Sequence, residues 1–139
     1  MKTKLFFSLI IVVLTFNNSY AQANVKFNQT FSSINTSHIK LDIEKKDLTL
    51  KTTKGSRIVV EMLIKISSPN TNLLEFITES GRYRLEKLFD AETKTLTLKN
   101  KKHKNIITIK GKEVTEQISY VIYLPETMQL VTDTTSSNL

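Results

Sequence analysis

From residue 39 onward the chain alternates apolar and polar side chains with a period of two. In "HIKLDIE" the apolar residues Ile39, Leu41 and Ile43 share one face, and "DLTLKTT" continues with Leu48 and Leu50. Such alternation predicts half-buried β-strands, and the "EKK" between the two runs predicts a tight hairpin. "TKGS" predicts a turn in which Gly55 is free to take a positive φ. From Arg57 to Ile66 the expected inward set is Ile58, Val60, Met62, Ile64 and Ile66. Val59 and Leu63 lie on the other face, which predicts a central strand covered on both sides.

The period then changes. "SPNTNLLEFITESG" places Leu73, Leu74, Phe76 and Ile77 at helical spacing, predicting one short helix near 72–80. Asn72 with Glu75 resembles a capping box, and Gly81 sits where a helix stops. Strand patterns resume with "RYRLEKLFD", "KTLTLKN", "NIITIKG" and "ISYVIYLP", the last closed by Pro125, which cannot donate to a ladder. "MQLVTD" predicts one more. The expected fold is mainly β: an antiparallel, strand-rich domain of eight or nine strands with one short helix, either a sandwich or a short β-solenoid. Its last strand starts close to residue 139 and has no cap, so the C-terminal edge is expected to be open. Either more sheet continues from it or a partner completes it.

The first 23 residues read as a signal peptide. Lys2 and Lys4 give a positive start, Leu5–Phe16 is an uncharged apolar run, and "NNSYAQA" offers cleavage after Ala23 or Ala21. The run has 12 residues, short of the roughly 18 that span a bilayer. A single β-rich domain over 24–139 is then expected outside the cytoplasm, in the periplasm or on the cell surface. With no cysteine in the chain, neither a cysteine-linked lipid nor a disulfide is available, so burial alone must hold the fold. The formal charge is +7; without Lys2 and Lys4, 18 basic residues face 13 acidic ones. That excess favours anionic surfaces as partners.

Charge is densest in "KNKKHK", where Lys99, Lys101, Lys102, His103 and Lys104 form the candidate anion-binding loop. No aromatic residue interleaves it, so nucleic acid is not an expected partner. Tyr83, Tyr120 and Tyr123 fall near strand ends, with Arg82 and Arg84 beside the first. They are either recognition aromatics or half-buried strand residues. His38 and His103 have no partner at ligand spacing, so no metal or other cofactor is expected. Without a GxSxG, SxxK or HExxH motif, and with Gly55, Gly81 and Gly111 far apart, no enzyme is expected either.

The order of "FNQTFSS", alternating strands, "LLEFITESGRYRLE", "TLTLKNKK" and "ISYVIYLPETMQL" resembles the opening part of a family of exported β-repeat envelope proteins from Bacteroidetes-type bacteria, domains of unknown function described as adhesins. The resemblance spans most of residues 27–131. It implies sheets or solenoids of short β repeats, with a "Y-x-I-Y-x-P" strand leading into a longer repetitive region, and it brings no catalytic residues. The expected role is non-catalytic binding at the bacterial envelope. Expected partners are an unidentified protein, an anionic glycan or envelope surface, or a second copy joined through the open sheet edge. A periplasmic accessory or signalling module that binds a protein partner is the alternative.

Overall fold

All five residues expected to point inward from the strand Arg57–Ile66 are at most 1% exposed, from Ile58 to Ile66. This strand, β4, lies between β1 (Ala23–Ser32) and β9 (Glu116–Pro125), antiparallel to both. The central position expected of it is the observed one. The structure, a computed structural model, describes residues 21–101 and 105–132. The remaining elements are β2 (His38–Asp42), β3 (Leu48–Thr53), α1 (Thr71–Glu79), β5 (Leu85–Asp90), β6 (Thr95–Asn100), β7 (Thr108–Ile109), β8 (Lys112–Glu113) and β10 (Gln129–Val131).

Two four-stranded sheets form the body, one in the order β1-β4-β9-β3 and the other β10-β2-β6-β5. Their apolar faces share one core, to which Ile39, Leu41, Leu96 and Leu98 contribute from the second sheet and Ile58 to Ile66, Tyr120 and Ile122 from the first. The molecule is therefore mainly β with one short helix, as expected, but its sheets are mixed rather than antiparallel. β3 runs parallel to β9, and β2 runs parallel to both β6 and β10.

The reason lies in the links. The expected "EKK" hairpin between β2 and β3 does not form, because these strands belong to different sheets. The link is an arch that crosses the core, and Ile43, 7% exposed, is its anchor in the interior. The link from β9 to β10 also passes between the sheets, and Met128, 9% exposed, anchors it in the same way. Among the described residues two links are short hairpins: residues 91–94 join β5 to β6, and a two-residue turn joins β7 to β8. Lys110 (φ 50°) and Gly111 (φ 77°) both take left-handed conformations there, as a two-residue turn of primed type requires. Gly55, expected to need positive φ, does not have it; its N–H instead bonds the Thr53 hydroxyl.

The helix starts at Thr71, one residue earlier than expected, and its cap lies two residues earlier. Asn70, not Asn72, is the cap, and its side-chain oxygen accepts from the Leu73 N–H at 3.0 Å. Gly81 follows the helix with φ 84°. Leu74 and Ile77 face the core, and the helix packs on β1, which offsets its short length.

The expected leader, 1–23, lies almost entirely outside the described residues. Ala23, however, opens β1: it pairs with Ile66, and its N–H bonds the Ser68 carbonyl at 2.8 Å. Of the two junctions weighed, a cut after Ala21 would leave β1 whole, whereas a cut after Ala23 would remove a paired residue.

Candidate functional site

The candidate residues do not converge on one site. Lys102, His103 and Lys104 lie outside the described residues. Lys99 projects from the outer face of β6 and reaches Glu86 at 3.7 Å. Lys101 lines an open cleft of about 300 Å³ beside Arg82, Gly81 and Ile107.

The three tyrosines divide. Tyr83 (5% exposed) and Tyr120 (1% exposed) are core residues. Neither can offer its ring to a partner, and Tyr83 lies in the turn after α1 rather than in a strand. The Tyr83 hydroxyl donates to Glu116 Oε1 at 2.7 Å, while the Tyr120 hydroxyl accepts from the Asn100 amide at 2.9 Å across the two sheets. Tyr123 is different. It is half-buried on the outer face of β9, with the Lys51 ammonium 5.5 Å from its ring centroid.

Around Tyr83 the sequence hid a polar cluster. Arg82 grips Glu116 with two hydrogen bonds, Nε to Oε1 at 2.8 Å and Nη2 to Oε2 at 2.7 Å, and also donates to the Asn105 carbonyl at 2.7 Å. Burial pushes the Tyr83 hydroxyl up strongly, helped by its bond to Glu116 and that carboxylate's charge. For Glu116, burial pushes upward too, but the bonds from Arg82 and Tyr83 and the Arg82 charge outweigh it, so the carboxyl sits below its ordinary range. This cluster ties the turn after α1 to the start of β9. With its polar groups bonded to one another, it has the character of a structural clasp.

The feature best suited to contact is an end of the molecule. β3 and β10 are outermost strands of the two sheets, at the end where both arches cross. Along a parallel ladder, backbone groups turn alternately toward each side. The Asp47 carbonyl accepts from Tyr120 N–H at 2.8 Å and the Thr53 carbonyl accepts from Glu126 N–H at 3.0 Å. Positions of that parity face β9, so Leu48, Leu50 and Thr52 turn their N–H and C=O groups to the open edge. In β10, Gln129 N–H bonds the Ser37 carbonyl at 2.9 Å, so Leu130 is the residue turned outward.

Side chains tell the same story. Leu50 stands opposite Ile122, and Leu130 opposite Ile39. Directly paired residues share a face, so both leucines are on the core side. Ile122 and Ile39 are 0% exposed, yet Leu50 and Leu130 are 41% and 38% exposed. Among the described residues nothing covers the core at this end. At the opposite end the two sheets are bridged: the Gln29 side chain of β1 accepts from the Leu85 N–H at 2.7 Å and donates to its carbonyl at 3.5 Å. Phe27 there lies under Arg84, 5.6 Å from its ring, although Phe89 of β5 remains half exposed.

A cleft of about 500 Å³ is open and lined by mixed charges, among them Glu44, Asp47 and Lys65. Among the described residues no group of three metal-ligating side chains occurs, and no helix is long and apolar enough to cross a membrane. No protein-family model, curated protein or solved structure matches this chain.

Proposed function

We propose that this protein is an exported, non-catalytic binding protein of the bacterial envelope, and that it engages a protein partner by strand addition at the open end formed by β3 and β10. The observation that carries this reading is the pair of core-side leucines, Leu50 and Leu130, left about 40% exposed beside two unfilled backbone edges. Strand addition takes its affinity from main-chain hydrogen bonds and its selectivity from alternate side chains. An incoming pair of strands would satisfy Leu48, Leu50, Thr52 and Leu130 and cover both leucines at once. The leader-like residues 1–23 support export.

The test is the association state of the purified domain, starting at Gln22. An unfilled edge templates pairing with whatever strand is present, so the wild type is expected to self-associate with rising concentration in sedimentation velocity. Leu50→Lys places a charge in the uncovered core, and Thr52→Pro removes an N–H that faces the open edge while sparing the ladder to β9. Both should sediment as monomers with the wild-type circular dichroism spectrum. A wild type that stays monomeric up to millimolar concentration would overturn the reading.

A further inference from the structure

The outer faces of the two sheets carry different charge. On the first sheet the residues opposite the core-facing set are Lys26 of β1, Arg57, Glu61 and Lys65 of β4, and Lys51 of β3, as the register dictates. That is four cations and one carboxylate. The second sheet shows Lys40 and Lys99 against Asp42, Glu86 and Asp90, and Lys99 is already drawn to Glu86. Asp47, at the margin of the first face, accepts a hydrogen bond from the Ser119 hydroxyl. No ion pair neutralises Lys26, Arg57 or Lys65 among the described residues.

Within this basic face Tyr123 is the sole aromatic residue. It stands opposite Val59 on β4 and Lys51 on β3. With Arg57, Thr53 and Ser56 it lines a shallow depression of about 350 Å³. Hydroxyl and amide side chains, Asn28 and Thr30 on β1, Thr49 on β3, Gln117 and Ser119 on β9, share the face with the half-buried Val59, Leu63 and Val121. From Arg57 to Lys65 the face runs about 26 Å at roughly 3.3 Å per residue.

We infer that this face binds an acidic polysaccharide, with Tyr123 packing on the apolar face of one sugar ring and Lys26, Lys51, Arg57 and Lys65 holding its carboxylate or sulfate groups. The chemistry of the face selects that class. A polyanion matches unpaired cations spread over the length of a chain rather than gathered at a point. Single-stranded nucleic acid would take successive aromatic platforms, and here there is one. Insertion into a lipid surface needs protruding apolar side chains, whereas none of the exposed large hydrophobic residues among those described belongs to this face. A sugar polymer instead offers many hydroxyls to Asn28, Thr30, Thr49, Gln117 and Ser119. The inference is independent of the strand-addition reading, because it uses the opposite side of the first sheet and needs no backbone edge.

The test uses polygalacturonate oligomers as the probe, with neutral dextran, oligo-dT and phosphatidylglycerol vesicles alongside, followed by calorimetry at several salt concentrations. Polygalacturonate should bind with an affinity that falls as salt rises, and dextran should not bind. The triple variant Lys26→Gln, Arg57→Gln, Lys65→Gln should lose at least tenfold in affinity, and Tyr123→Leu several-fold with an unchanged salt slope. Lys101→Gln, in the cleft beside Arg82, should bind as the wild type does. The inference is overturned by absence of polygalacturonate binding, by equal or tighter binding of oligo-dT or vesicles, or by a triple variant that binds like wild type.

Discussion

Burial alone would lift the Glu116 carboxyl, yet Arg82 and Tyr83 hold it below its ordinary value, which gives one side chain a measurable role in stability. A carboxyl depressed in the folded state stabilises the fold at neutral pH and loses that contribution as pH falls through the ordinary carboxylate range and below. Acid should therefore destabilise the wild type more steeply than Glu116→Gln, as read by urea unfolding between pH 7 and pH 3. Identical slopes would sink the assignment. Arg82→Ala strips two charge-assisted bonds from a carboxylate whose side chain is only 22% exposed, so a cost of about 1–3 kcal/mol is expected at pH 7. Tyr83 works in the opposite direction. Its hydroxyl is raised in the folded state, so its stabilisation is complete below about pH 10 and fades as pH rises past the unfolded value. Tyr83→Phe should flatten the alkaline limb. None of this was legible beforehand: "GRYR" and "TEQISY" lie about thirty residues apart, and nothing local announces their meeting.

Elements were legible where one period ran unbroken. β4 alternates over ten residues, so its buried set could be read off directly, and Ile64→Ala should cost about 2–5 kcal/mol in chemical denaturation. Where two patterns of the same period adjoin, the link between them carries no local sign of hairpin or arch. "EKK" would suit either, and the outcome depends on Ile43 finding the core and on β2 pairing with β6, 53 or more residues away in the chain. The helix cap slipped for a simpler reason: "PNTN" offers two asparagines, and both can accept from an N–H three residues on. Asn70 wins in the structure, where its side-chain oxygen accepts from the Leu73 N–H. Asn70→Ala should therefore cost about 1 kcal/mol, while Asn72→Ala, inside the first turn, should leave thermal stability within about 0.5 kcal/mol of wild type.

At the scale of the whole molecule the two ends of the layered core behave differently, and hydrogen exchange can read that difference amide by amide. An open C-terminal edge was expected from the chain's order; that β3 would join β10 at the same end was not, because it follows from how the chain passes between the sheets rather than from any residue pattern. Amides of β4 and β9 are enclosed on both sides within the first sheet and should exchange only through global unfolding. Amides of Leu48, Leu50, Thr52 and Leu130 point away from the one strand each pairs with among the described residues and should exchange within seconds in dilute protein, while Thr49 and Lys51, bonded toward β9, are slower. Raising the concentration into the associating range should then protect the outward-facing set selectively, since pairing across the edge fills those N–H groups and leaves the β4 rates unchanged. Association that protects the outer face of β4 and β9, or protects nothing, would place the contact elsewhere. Addition of polygalacturonate should leave the edge amides fast, because its binding face lies on the side chains of the first sheet and not on its backbone, so one exchange experiment separates the two surfaces.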